Sequence, residues 1–222
     1  MLVAANLRSG MPPSNTRPDI RQSTSAGLHE QVRGVLPAIT AIRHDLHAHP
    51  ELAYKEQRTS AVVCAELKKL GVEFVSGLAG GTGVLAHIPA KGAGASGDRG
   101  AVALRADMDA LPILENTGAV YASKTPGVMH ACGHDGHTAN LLGVAAVLTK
   151  LERRPNPVTL IFQPAEEGGA GGKRMCEDGA LDGSRIGPRV DRIFGLHGWP
   201  QYTLGDVGSR PGPLLAATDN FE

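Results

Sequence analysis

The sequence has no surplus of charge of either sign: Lys+Arg and Asp+Glu are both 22, for a formal net charge of zero. Without a basic excess there is no electrostatic case for nucleic acid or an anionic membrane as a partner. Cysteine is sparse too. Cys64, Cys132 and Cys176 are three, an odd, scattered set that argues against a disulfide framework and for a reducing compartment. Long apolar runs are missing. The longest, Leu141 to Leu148, has a glycine inside and falls far short of a membrane span. Met1 to Ala5 is too short an apolar run for a secretory signal. The expectation from these absences is a soluble, cytoplasmic protein.

What the chain does have is glycine. It contributes 29 of 222 residues, about 13% against roughly 7% in average proteins, which implies many turns or backbone that closely approaches a ligand. Hydrophobic residues make up 41%, enough for the core of one large domain. Residues 1–27 are rich in Pro, Ser, Thr, Asn and Arg and read as a disordered leader. From Leu28 to about His47, Val32, Val35, Ile39, Ile42 and Leu46 recur at helical spacing, and a second helix is expected from about Glu56 to Leu70, closed by Gly71. The period then shortens. Val72 to Val75, Gly83 to Ile88, Ala101 to Arg105, Val158 to Phe162 and Val190 to Leu196 are apolar runs bounded by Gly, Pro or Asp, as buried strands are. Helices are expected over His137 to Leu151 and Gly172 to Asp178, and a polar connection over Lys91 to Gly100. Alternating strands and helices specify a layered α/β domain with a parallel or mixed sheet.

Chemistry-bearing residues fall just past the C-terminal ends of these strands, the edge at which open α/β sheets hold ligands. Asp107 and Asp109 follow one strand, Glu166 and Glu167 another, and His197 a third. The densest segment is Met129 to His137 (MHACGHDGH). A thiolate and an imidazole on either side of Gly133 can grip a metal before a helix begins. The bland alternative is a His-rich helix start capped by Asp135. In Gln163 to Gly169 (QPAEEGG), adjacent carboxylates diverge on an extended backbone, so one can bind metal while the other moves protons. The alternative is a solvated loop tip. Asp107 and Asp109 can ligate metal or accept the free N–H of a ligand histidine, or simply form an Asp-rich turn. Sulfur, nitrogen and oxygen donors together suit a borderline divalent ion such as zinc, manganese or cobalt.

Five ordered segments carry a resemblance: DLHAHPEL at 45–52, LRADMDALP at 104–112, MHACGHDGHT at 129–138, QPAEEGG at 163–169 and GLHGWP at 195–200. The sequence resembles the hippurate hydrolase branch of the aminoacylase/carboxypeptidase-type metallopeptidases, which includes the plant auxin-conjugate hydrolases. The resemblance implies a zinc-exopeptidase-like catalytic domain, a three-layer αβα mixed sheet, around two divalent metal ions. It implies Cys132, His134, Glu167 and His197 as ligands and Glu166 as general base. Asp109 is implied as an orienting carboxylate behind a ligand, with Asp107 and His137 in supporting positions. The implied reaction is hydrolysis of the amide bond of small N-acyl amino acids, with Glu166 carrying a proton from water to the leaving amine.

Members of that branch are longer. They carry an inserted lid domain, often used for dimerisation, and a later stretch that supplies one more ligand histidine. Residues 217–222 resemble the first residues of the lid strand. The expected organisation is thus a leader over 1–27, a partial catalytic domain over 28–216 and a lid start over 217–222, with the full-length form a homodimer or homotetramer through the lid. His44, His47 and His49 are expected to be structural, Cys64 and Cys176 to be small core residues, and Trp199 to pack. Two other readings compete: a cysteine hydrolase built on Cys132 with His134 or His137, and a metal-binding fragment without turnover.

Overall fold

A computed structural model describes residues 2–6, 25–95 and 100–212. Among these described residues, four helices and six strands follow in the order β1 (Leu2–Asn6), α1 (Ser25–Ala48), α2 (Gln57–Lys69), β2 (Glu73–Leu78), β3 (Gly83–Ile88), β4 (Ala101–Asp107), α3 (His134–Lys150), β5 (Val158–Gln163), α4 (Gly171–Glu177) and β6 (Val190–Leu196). The strands form one mixed sheet in the order β1-β6-β4-β5-β3-β2. β4 runs parallel to both β5 and β6, while β3 is antiparallel to β5 and β2, and β1 to β6.

The strand residues alternate between two cores, as a two-residue side-chain period requires. Val84, Ala86, Ile88, Ala106, Leu160 and Phe162 face one side, where α2 and α3 supply Val63, Leu67, Leu141, Leu142 and Ala145. Leu85, Ala103 and Ile161 face the other, packed with Met175 of α4 and with Ala180 and Val190. Helix α1 joins the first layer through Ile39 and Ile42. A Cβ at Gly143 would meet Ile39 at 3.2 Å, so that glycine lets α1 and α3 approach closely. The result is the three-layer αβα arrangement expected from the sequence.

Several elements differ from the sequence reading. Leu2–Asn6 lies within the expected leader yet pairs with β6 as an edge strand. Residues 7–24 and the expected lid start at 217–222 lie outside the described residues. β2 begins one residue later than expected and runs on to Leu78, because its exposed outer face breaks the apolar run. α3 begins at His134, three residues early. Its first turn, His-Asp-Gly-His, has no apolar period and is held by polar contacts instead. Leu28, Val32 and Leu36 on α1 are exposed, so only the second half of the expected apolar stripe is engaged. No helix among the described residues is long and apolar enough to cross a membrane.

The turn after β5 folds back so tightly that a Cβ on Gly171 would sit 1.7 Å from the Pro164 carbonyl oxygen. Gly171→Ala is expected to cost about 3 kcal/mol, the upper end of overpacking penalties, because the obstacle is backbone. A fall in the urea midpoint at unchanged slope would show it; an unchanged midpoint would contradict the close approach.

Candidate metal centre

Because β4, β5 and β6 are mutually parallel, their C-terminal ends share one sheet edge. Asp107 pairs with Gln163 in register, and β6 ends at Leu196, one residue before His197. The start of α3 closes over this edge. Gly133 adopts a left-handed conformation, φ 87°, at the N-cap position, so the chain turns into the helix directly between Cys132 and His134. Thr138 fastens the first turn by donating to the Asp107 carbonyl at 2.8 Å.

Three donor atoms of Cys132, His134 and His197 lie within 4.8 Å of one another, and His134 likewise groups with Glu166 and Glu167. His197 Nδ1–H donates to the Gly198 carbonyl at 2.6 Å, which leaves the Nε2 lone pair facing Cys132 Sγ at 3.3 Å. His134 is fully buried. Its Nδ1–H donates to the Asp109 carbonyl at 2.8 Å, while Nε2 is buried without a hydrogen-bond partner. Asp107 and Glu167 oxygens approach that nitrogen at 3.7 and 3.9 Å. Burial disfavours a charged ring here. The Asp109 carboxylate, 3.3 Å from Nδ1, the Cys132 sulfur and the Asp107 charge outweigh burial and push His134 up to about 11. The pocket therefore favours positive charge at the inner end of this ring.

Asp109 organises the paired glutamates. Its two carboxylate oxygens accept the backbone N–H groups of Glu166 and Glu167, each at 3.0 Å. Burial pushes the Asp109 carboxyl up, but His134 and these two N–H donors prevail and hold it below the ordinary carboxylate value. The Glu166 carboxyl moves the other way. Burial of its surroundings raises it most, Arg105 opposes, and Asp107 and Glu167 add to the rise.

Asp107 and His137 form a third donor group with His134, their ligand atoms again within 4.8 Å of one another. His137 donates from Nδ1 to Asp107 Oδ1 at 2.6 Å and accepts the Gly198 N–H at Nε2, 3.0 Å away. Arg105 meets the other Asp107 oxygen at 2.8 Å and donates to Gln163 at 2.9 Å. Burial opposes the Asp107 anion, but His137 and Arg105 outweigh it and hold the carboxyl well below its usual range.

Matching this geometry to known proteins decides the family. The model of peptidase family M20/M25/M40 matches residues 103–218, more than half of the chain. The chain belongs to that family. N-acetyl-L-cysteine deacetylase of Bacillus subtilis is 41% identical over 218 residues, covering 98% of this chain and 50% of the deacetylase. IAA-amino acid hydrolase ILR1-like 4 of Arabidopsis thaliana is 45% identical, covering 83% and 39%. The crystal structure of the YXEP protein of Bacillus subtilis, described as a dinuclear metal binding peptidase of this family, superposes with TM-score 0.71 at 38% identity, over 82% of this chain and 48% of that one. The M20 chain thus spans about half the length of the curated relatives it matches.

The DLHAHPEL segment of the M20 chain places none of its histidines in the donor cluster. His44 stacks on Tyr121 at 3.8 Å, and His49 bonds the Asp45 carbonyl. His47 is buried, with one ring nitrogen on Asp135 at 2.9 Å and the other on Glu115 at 3.2 Å. Asp135 also receives Arg43 at 3.1 Å, so it braces α1 against α3 rather than capping its own helix. His130 is buried with neither ring nitrogen hydrogen-bonded, and burial pushes it down to about 4. Cys64 packs against the core. Cys176 is exposed, contrary to expectation, because Met175 turns inward and the next residue on a helix lies about 100° away. Trp199 is also exposed, edge-on to His197 at 6.4 Å, rather than packed in the core. Sequence reasoning missed Arg105, Asp135 as a brace, and Glu56. The contacts that matter, Arg105 to Gln163, Asp135 to His47 and Arg43, and Glu56 to Ala165, are distant in sequence and have no local signature.

The Asp109 clamp yields a pH prediction. A carboxyl held low in the fold contributes stability that is complete above its unfolded value of about 3.9 and fades as pH falls through the lower folded value. Asp109→Asn is expected to lose about 1–3 kcal/mol at neutral pH, since one buried acceptor disappears, with the difference from wild type shrinking in acid. Chemical melts from about pH 7 down to about pH 3 check this; a constant gap would contradict it.

Proposed function

We propose that this chain carries the metal-binding part of a two-metal amidohydrolase that cleaves small N-acyl amino acids. The observation that carries the reading is the buried, hydrogen-bond-free Nε2 of His134 beside the paired Cys132 and His197 donors. A buried imidazole nitrogen without a partner is costly. A divalent ion held by sulfur, imidazole and carboxylate resolves that cost, and the donor types suit zinc, manganese or cobalt. Cys132, His134, His197 and Glu167 would hold the metal.

When bound, the ions supply Lewis-acid charge that activates water and stabilises the amide oxygen as it becomes anionic. The chain supplies the rest. Glu166 takes the proton of the attacking water and returns it to the leaving amine nitrogen. Its raised carboxyl makes it a stronger base than an ordinary glutamate. Asp109 and its bond to His134 keep ligand and base in one frame. The names of the relatives, a deacetylase of N-acetyl-L-cysteine and a hydrolase of IAA-amino acids, support an N-acyl amino acid as substrate. The hippurate-like acyl group belongs to this proposal.

The test is cobalt titration of the metal-depleted protein. Uptake is expected with proton release, tighter binding at higher pH and a thiolate-to-metal absorption band from Cys132. Absence of uptake overturns the reading. A second reading draws on the 3.3 Å Cys132–His197 pair: a thiol nucleophile with an imidazole base. Turnover that survives chelation and is lost on thiol alkylation would favour it.

A further inference from the structure

Glu56 belongs to no ligand segment and precedes a helix, yet it is among the most buried residues, with no exposed surface. It occupies the N-cap position of α2 but makes no cap bond with its side chain. Glu51 serves that helix instead, accepting the N–H groups of Arg58 and Thr59 at 3.0 and 2.8 Å. The Glu56 carboxylate points across the fold. One oxygen accepts the Ala165 N–H at 2.9 Å and the Tyr54 N–H at 3.0 Å; the other accepts the Thr82 hydroxyl at 2.8 Å.

The Ala165 bond matters because this alanine leads directly into the paired glutamates. Ala165 is fully buried and holds φ 51°, a conformation that costs an L-residue about 1–2 kcal/mol. Only fixed surroundings maintain such a turn. Three successive N–H groups at 165, 166 and 167 are captured by two carboxylates, the first by Glu56 and the next two by Asp109. Tyr54, beside Glu56, donates its hydroxyl to the Gly169 carbonyl on the far side of the same loop. The 54–56 segment thus holds both ends of the loop that presents Glu166 and Glu167.

We propose that Glu56 is a positioning residue for the Glu166–Glu167 turn, acting through the Ala165 backbone to set where the base and the carboxylate ligand stand. The catalytic consequence rests on reading Glu166 as the base; the mechanical part does not. Glu56→Ala removes the acceptor, whereas Glu56→Gln keeps an oxygen for the Ala165 and Tyr54 N–H groups and lets Thr82 accept from the amide.

Amide hydrogen exchange on the metal-free chain tests the mechanical part. In Glu56→Ala, Glu166 and Glu167 as well as Ala165 are expected to exchange at least about 10-fold faster, because freeing one end of the strained turn loosens the Asp109 bonds. Leu160 to Phe162 of β5 should stay protected, and Glu56→Gln should resemble wild type. A merely local bond would speed Ala165 alone, and that result overturns the proposal. Cobalt affinity and kcat form the second readout. Both are expected to fall about 10–100-fold in Glu56→Ala, the usual loss when support behind a ligand is removed, with KM little changed and Glu56→Gln restoring them. Leu85→Ala, a core truncation on the opposite sheet face, controls for lost stability. If it lowers cobalt affinity and kcat as much, the effect is not positional and the proposal fails. Should Glu56→Ala not fold, Glu56→Asp, one methylene short of Ala165, gives the same readouts. If the wild type takes up no cobalt, the functional reading fails, and the exchange result still decides the role of Glu56.

Discussion

With Glu166 as the proposed base, Glu166→Gln is expected to lower kcat for the proposed N-acyl amino acid hydrolysis by about 10²–10⁴-fold, the range for loss of a positioned general base, while cobalt uptake stays at the wild-type level. The two effects separate because the proposed roles divide the work between adjacent residues. Glu166 is exposed, whereas Glu167 is half-buried, 3.9 Å from His134 Nε2. The amide is isosteric, and the backbone N–H that Asp109 holds is untouched, so the fold has no reason to move. A pH profile adds a sign. Partial desolvation by the surrounding protein raises the Glu166 carboxyl, and a base works only when ionised, so activity is expected to fall on acidification at a pH above the ordinary glutamate value of about 4.3. Glu166→Gln removes that acidic limb. Parallel loss of metal and rate would instead make Glu166 a ligand.

His134→Ala carries the largest expected effect on metal: a fall in cobalt affinity of at least about 100-fold, beyond the 10–100-fold typical of residues that only support a ligand. His134 is the residue common to all three donor groups at this edge. Its ring is aimed by the Asp109 carbonyl and enclosed by acids that favour a cation. Cys132→Ser is the companion variant. It nearly preserves volume and replaces the soft donor, so the thiolate absorption band should vanish and affinity fall while the fold persists. Calorimetric titration of each variant after chelation checks both. Wild-type affinity in His134→Ala would remove the basis of the metal reading.

The legible parts of this protein are those with a local cause. Apolar runs bounded by Gly, Pro or Asp mark β3, β4 and β5, because central strands covered on both faces have no polar face to interrupt them. Cys132 and His134 stand out as part of a dense His and Cys segment before a helix, and Glu167 and His197 because they follow strand ends. Other features carry no local sign. Glu56 reads as an ordinary polar helix start, and its partner Ala165 is 109 residues away. The start of α3 is hidden because its first turn depends on Gly133 and on Thr138 reaching the Asp107 carbonyl. The exposure of Cys176 is equally illegible, since a helix of seven residues has too few turns for a period to reveal its inner face.

Strand and helix types, the family and the roster of candidate donors are determined by the sequence alone, since each depends on side-chain chemistry and spacing along a short stretch. Which donors meet, which way each imidazole presents its lone pair, and which carboxylates serve as scaffolding were decided only by the tertiary structure. Parallel pairing brings three strand ends to one edge, and hydrogen bonds between residues far apart in the chain then orient Asp107, Asp109, His134 and His137 there.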